Sequence, residues 1–242
     1  EPAVRPITVR HCLTHTAGLG YSIVQQGPLA EAMQERGVVP GLVTRLQNLP
    51  GFRGTAVPSL AQFADRLAEM PLVYQPGTKW SYKTGETNLI GVLASSATKK
   101  KLAGYLSEKI WKPYGMEQDA TWILGATGHE ISGCCLQAST RDFARFGLFM
   151  LGGGLIDGKP VLPDGWIAAA TRKHADTYLP DYGYGYQWWV FKEGGFAAQG
   201  IFGQGIFIDP KRKLVIASNS NWPCLQRIQC GRKRGEVERI QR

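Results

Sequence analysis

The chain has 242 residues, 43% of them apolar and 19% charged, which is enough material to bury one ordinary globular core and excludes a disordered chain. Its formal charge is +9, but +4 of that sits in the last eighteen residues, "LQRIQCGRKRGEVERIQR", and the body has no basic stripe interleaved with aromatics, so nucleic acid is not an expected partner. No run of eighteen apolar residues occurs, and "EPAVRPITVR" lacks the apolar stretch of a signal peptide, so no membrane span is expected.

The first element is "ITVRHCLTHTAGL". Thr8 is placed to cap a helix in which Val9, Cys12, Leu13, Thr16 and Ala17 share a face, with Gly18 ending it. His11 and His15 then fall on another face at i, i+4. The pair lacks the intervening Glu of His-Glu-x-x-His and a third ligand, so it reads as structural rather than metal-binding. Residues 23–75 are broken by Gly and Pro, apart from a helical "SLAQFADRLAEM" whose Leu60, Phe63, Ala64 and Leu67 line one side.

"YQPGTKWSYKTGETNLIGVLASSATKK" predicts a Pro-Gly turn, an extended piece and a helix. Thr84 is its expected cap, and Leu89, Val92, Leu93 and Ala97 its buried stripe. The helix ends in "SSATKK", whose Ser96 and Lys99 have the Ser-x-x-Lys spacing of an activated nucleophile. That end of a helix presents carbonyls, not the N–H groups an oxyanion needs, and the lysines form a solvated cluster, so an ordinary helix end is the better account.

In "GCCLQASTRDFARFGLFMLGGG", Ser139 or Thr140 caps a helix with Phe143, Phe146, Gly147 and Met150 at helical spacing, stopped by Gly152 to Gly154. The five cysteines (Cys12, Cys134, Cys135, Cys224, Cys230) show no disulfide or zinc spacing and read as small buried residues. From Tyr184 the period changes to two: "YGYQWWVF", "FAAQGIF", "GIFIDP" and "KLVIASN" predict an antiparallel meander. Glycines 200, 203 and 205 interrupt it, as where a bulge forms or a ligand nears the backbone. Helices followed by such a sheet make an α/β (α+β) fold.

Five phrases in order, "ITVRHCLTHTAGL", "PGTKWSYKTGETNLIGVLAS", "LSEKIWKPYGMEQDATW", "GCCLQASTRDFARFGLFMLGGG" and "YGYQWW...GIFGQGIFIDP", resemble the serine β-lactamase-related hydrolases over roughly residues 5 to 222. That family includes class C β-lactamases, penicillin-binding-protein-like esterases and 6-aminohexanoate-oligomer hydrolases. The resemblance implies a β-lactamase/transpeptidase-like fold, no cofactor or metal, a small ester or amide as substrate, and an acyl-enzyme mechanism. It matches Tyr82, in "WSYKT", to the second-motif tyrosine; a phenolate can relay protons beside a cation, whereas the plainer role is packing on Trp80. "QGIFGQ" matches the third motif, with Gly200 as its glycine and Ile201 as a main-chain donor to the oxyanion. Ala198 and Gln199 stand where relatives carry a Lys or His, which points to the esterase and amide-oligomer branch rather than to β-lactams.

In the family the Ser-x-x-Lys helix precedes the phrase matching "ITVRHCLTHTAGL", and here the chain begins just before it. The expectation is an internal fragment: residues 1–223 form the β-lactamase-related domain, incomplete at its N-terminus, and residues 224–242 a basic tail. This chain alone is then expected to be inactive, the alternative being a non-catalytic remnant or binding module. Compartment (periplasm or cytoplasm) and oligomeric state are left open.

Overall fold

The computed structural model describes residues 7–19, 72–125 and 128–220. The helix expected over "SLAQFADRLAEM" and the basic tail lie outside these residues.

Helix α1, Val9–Leu13, starts as its sequence requires. The Thr8 hydroxyl accepts the His11 N–H at 3.3 Å, while His11 Nδ1 accepts the Thr8 N–H at 3.2 Å, so both orphan donors are paired. It stops five residues short of the expected Gly18. The Thr14 hydroxyl folds back on the Arg10 carbonyl at 2.9 Å and His15 takes the left-handed conformation, φ 54°. Thr16 and Ala17 are therefore buried outside the helix, and Cys12, Ala17 and Leu19 form a small core against Leu89 and Ile90.

Helix α2, Thr84–Thr98, departs from its sequence reading in two ways. Its N-cap is Lys83, with no side-chain cap; Thr84 is already helical. Its buried face is Gly85, Glu86, Asn88 and Gly91 rather than the expected apolar stripe, and Leu93 is exposed. The reason is close backbone approach. The loop at Ser132 and Gly133 lies directly on α2, where Asn88 Oδ1 accepts the Gly133 N–H at 2.6 Å, and a Cβ on Gly91 would stand 2.0 Å from Ser132 Oγ. At the far end Lys99 terminates α2 at φ 56°, with Ser96 and Lys99 both exposed.

Helix α3, Leu102–Leu106, continues into a π-helical turn, Ser107–Trp111, and the buried Glu130 carboxylate accepts its leading N–H groups of Leu102 and Ala103. Strands β1, Thr121–Trp122, and β2, Leu136–Gln137, flank a loop in which Cys134 and Cys135 are joined by a disulfide. These neighbours were expected as unbonded small residues. Adjacent cysteines close no loop of chain, so spacing rules do not single them out.

Helix α4, Thr140–Leu151, is capped by Ser139, whose hydroxyl accepts the Asp142 N–H at 3.0 Å. Asp142 is fully buried and accepts the Glu117 N–H at 2.6 Å and the Gln118 N–H at 3.1 Å, which tie the preceding loop to this helix. A hairpin, β3 (Leu155–Ile156) and β4 (Lys159–Pro160), and helix α5, Trp166–Thr171, lead into the main sheet.

That sheet is an antiparallel meander of β5 (Ala175–Asp176), β6 (Tyr182–Tyr184), β7 (Trp189–Phe191), β8 (Phe196–Gln199), β9 (Gly205–Asp209) and β10 (Leu214–Ser218), each strand beside its sequence neighbour. The meander begins earlier than expected, and "YGYQWWVF" is not one strand: the chain turns between β6 and β7, with Gln187 at φ 64°. Period two sorts the sheet into faces. Phe196, Ile206, Ile208 and Val215 pack with Phe149 and Met150 of α4 as the main core. A Cβ on Gly147 of α4 would stand 2.5 Å from Val215, so this contact requires glycine. The register places Tyr184, Trp189 and Ala197 on the opposite face, towards α1 and α2.

Among the described residues no helix is long and apolar enough to cross a membrane.

Candidate functional site

Residues 79–83 run between the end of α1 and the aromatic face of the sheet, and the Tyr82 ring touches both sides. It lies 4.4 Å from the His15 ring on one side and stacks at 6.0 Å on Trp189 on the other, with planes 10° apart. Trp80 completes the surround, 5.6 Å from both Tyr184 and Trp189 and 5.4 Å from Tyr178. The Tyr82 ring meets that of Tyr184 edge-on, at 6.1 Å and 88°. Burial holds the Tyr82 phenol above its ordinary range, Tyr178 adds to this, and Tyr184 works against it.

His15 fixes the backbone of this segment. Its carbonyl accepts the Ser81 N–H at 2.9 Å and its Nδ1 accepts the Lys83 N–H at 3.1 Å. A ring nitrogen that accepts must be unprotonated, and burial, with Lys83 nearby, pushes the imidazole down to about 3. His15 is therefore neutral at neutral pH. It does not share a helix face with His11, as expected from spacing, because it has left the helix.

Lys83 and Glu86 lie beneath. The Lys83 ammonium donates to the Leu19 carbonyl, and Glu86 Oε2 accepts the Ala17 N–H at 3.4 Å. Both side chains are buried, which lowers Lys83 and raises Glu86 to about 8, their mutual attraction opposing each shift. The Glu86 carboxyl lies 3.9 Å from His15 Nδ1, but with His15 neutral this contact is not an ion pair. Burial, with Glu86 adding, also pushes the Cys12 thiol up to about 12, so it is inert at neutral pH.

The other predicted residues sit where β8 ends. Gln199 closes the strand opposite Gly205 and is exposed; Gly200 and Ile201 form the turn that follows. Gly200 N–H donates to the Gln204 carbonyl at 2.8 Å and Phe202 N–H to Gln204 Oε1 at 3.2 Å, whereas the Ile201 N–H between them makes no hydrogen bond among the described residues. Strand register links the two halves. Trp189, which carries the Tyr82 ring, pairs with Ala197, and Gln199 projects on the same face two positions along β8.

Sequence reasoning singled out Tyr82, Gln199, Gly200 and Ile201 and missed His15, Lys83, Glu86, Tyr184 and Gln187. The available signal was polar: a helix whose first turn carries "GET" ahead of its apolar residues, and a Gln in a strand-like aromatic run.

The chain has recognisable relatives. A 6-aminohexanoate-dimer hydrolase of Paenarthrobacter ureafaciens is 28% identical over 156 residues, covering 60% of this chain and 40% of that protein. Esterase EstB of Burkholderia gladioli is 31% identical over 111 residues, 46% of this chain and 24% of the esterase. The chain thus aligns with less than half the length of either. A solved Bacillus anthracis structure assigned as a 6-aminohexanoate-dimer hydrolase superposes with a TM-score of 0.74 at 26% identity, over 95% of this chain and 62% of that one. The fold is accordingly that of the β-lactamases and transpeptidases, an antiparallel sheet with flanking helices. The Beta-lactamase family model matches residues 1–225, and the chain belongs to this serine β-lactamase-related family.

Proposed function

We propose that the protein is a serine hydrolase of ester or amide bonds working through an acyl-enzyme, with Tyr82 handling protons and the Ile201 N–H helping to hold the oxyanion. The carrying observation is Tyr82 itself, a half-buried phenol whose ring is clamped between His15 and Trp189 and meets Tyr184 edge-on. A general base needs its ring held in one orientation, and these contacts hold it. The unengaged Ile201 N–H beside the flexible Gly200 is suited to an oxygen that becomes charged during the reaction.

In this reading, the serine and its lysine come from a Ser-x-x-Lys segment of the whole protein. Relatives are longer than this chain, and Ser96 is exposed at the C-terminal end of α2, far along that helix from Tyr82. Tyr82, as phenolate beside that lysine, takes the serine proton as the serine oxygen bonds to the carbonyl carbon, then passes it to the departing alcohol or amine. Water repeats the sequence in reverse order and frees the acid. Uncharged Ala198 and Gln199, where relatives carry a Lys or His that would meet a carboxylate, favour short esters and small linear amides over β-lactams. The names of the hydrolase and esterase relatives agree with that choice.

The test is hydrolysis by the whole protein of p-nitrophenyl acetate, a 6-aminohexanoate linear dimer and a chromogenic cephalosporin, with fluorophosphonate labelling and peptide mapping. Ester or amide turnover with the adduct on a serine of a Ser-x-x-Lys segment other than Ser96 is expected. Cephalosporin turnover without ester or amide turnover overturns the substrate assignment, and an absence of any adduct favours a binding module.

A further inference from the structure

The loop over residues 131–136 is fastened on two sides. Towards β1, the Trp122 indole N–H donates to the Ile131 and Cys134 carbonyls at 3.0 and 2.9 Å, and the Ile123 N–H donates to the Cys135 carbonyl at 3.2 Å. Towards α2, the Gly133 N–H donates to Asn88 Oδ1 at 2.6 Å and the Ser132 hydroxyl to the Asn88 carbonyl at 3.2 Å. The approach is so close that a Cβ on Gly133 would stand 2.6 Å from the Thr84 methyl group. Between these two anchors lies the Cys134–Cys135 disulfide, with both residues half-buried and Cys135 in the left-handed conformation at φ 77°. Cys12, by contrast, is a free thiol shut inside the small core.

We propose that Cys134–Cys135 is a reversible redox site, opened by a dithiol reductant, and that its opening loosens the loop from the start of α2, which begins two residues beyond Tyr82. A disulfide supports a fold chiefly by closing a long loop of the unfolded chain; a bond between neighbours closes none, so the folded state does not depend on it. What it does fix is local. The small ring it makes with the backbone restrains Cys135 at a positive φ that residues with a Cβ leave when free to do so. In the reaction a thiolate of the reductant attacks one sulfur, the S–S bond breaks and the other cysteine departs as thiolate. The reductant's second thiolate then attacks the mixed disulfide, releases the remaining cysteine and leaves as a cyclic disulfide. Two electrons pass from the dithiol to the pair, and the two cysteine thiolates take up its two protons. With the ring open, Cys135 returns to negative φ, which turns its carbonyl away from Ile123 and draws Gly133 off Asn88. The inference does not depend on the hydrolase reading.

The test needs no turnover and uses the folded 242-residue chain. The chain is treated with excess dithiothreitol, its free thiols are alkylated and mapped by mass spectrometry, and amide hydrogen exchange is followed in both redox states. The pair should open, the Gly133 and Ile123 amides should exchange about tenfold faster or more, and the Gly147 amide inside α4 should not change. Removing the dithiol and reoxidising with diamide should restore the starting rates. The double variant Cys134→Ser, Cys135→Ser should exchange like reduced wild type whether or not dithiol is present; should that variant not fold, reduction of the wild type decides alone. A pair that stays closed in the folded chain, or one that opens with the Gly133 and Ile123 amides unchanged, overturns the proposal. Equal acceleration at Gly147 also overturns it, since the bond would then hold the whole fold rather than this loop.

Discussion

Gln187 is bound twice to Leu13 across 174 residues of chain: its main-chain N–H donates to the Leu13 carbonyl at 3.0 Å, and its side-chain amide donates to the same oxygen at 3.1 Å. The amide oxygen accepts the Thr87 hydroxyl at 2.8 Å, so one side chain fastens the turn between β6 and β7 to the end of α1 and the first turn of α2. The left-handed backbone of Gln187, φ 64°, is sustained by these bonds. Gln187→Leu should therefore destabilise the fold by about 2–3 kcal/mol, because it strands the Thr87 hydroxyl and weakens the pairing of two carbonyls. Urea unfolding of this chain measures it, and a loss under about 0.5 kcal/mol contradicts the role.

Tyr82→Phe in the whole protein should keep the stacking on Trp189 and remove the hydroxyl. Hydrolysis of the best ester or amide should fall about 100-fold or more, with KM changed far less. Steady-state kinetics decide it, with circular dichroism as the fold control; activity within a factor of three of wild type removes Tyr82 from the chemistry.

Ile201→Pro deletes a main-chain donor of the turn that makes no hydrogen bond among the described residues. In the whole protein kcat should drop by about 100-fold or more, as for loss of an oxyanion donor. Gly200→Ala acts less directly. Its Cβ would stand 2.5 Å from Gln204 Oε1, which must swing away and release the Phe202 N–H. A kcat of Ile201→Pro equal to that of wild type, with the fold intact, would rule out the donor role.

His15 sets an acid limit on stability. Its folded pKa, about 3, lies below the ordinary 6.5, so between these values the unfolded chain binds a proton that the folded one excludes. Its contribution is complete above pH 6.5 and is lost as pH falls towards 3, by about 1.4 kcal/mol per unit. Glu86 has the opposite sign: folded at about 8 against 4.5, it favours the folded state most below pH 4.5 and loses that advantage as pH rises through 8. Denaturation of wild type and His15→Gln at pH 6.5 and 4.5 isolates the first effect. The wild type should lose stability relative to the variant on acidification, and parallel pH profiles would refute a buried neutral His15.

Ser96→Ala should change stability by less than about 0.5 kcal/mol and leave turnover of the whole protein unaltered, since Ser96 is exposed at the end of α2. Mass-spectrometric mapping after fluorophosphonate treatment should find no adduct there.

The sequence by itself determined the elements whose signals are local. Thr8 and Ser139 cap their helices because a short hydroxyl side chain before a helical run can reach the third N–H. The meander follows from period-two runs separated by turns, since alternate residues must face opposite sides of a sheet. Tyr82, Gly200 and Ile201 were legible through the phrases around them rather than through spacing. Tertiary structure alone decided the rest. His15 leaves α1 because its ring and carbonyl are used by Ser81 and Lys83, nearly seventy residues away, and no helical periodicity encodes such a partner. The buried face of α2 is small and polar because the loop at Ser132 and Gly133 comes within backbone contact, where an apolar stripe would not fit. Tyr184 meets Tyr82, and Gln187 meets Leu13, only once the sheet is laid on the helices: contacts between distant segments depend on the closed shape of the chain, which local propensity does not specify.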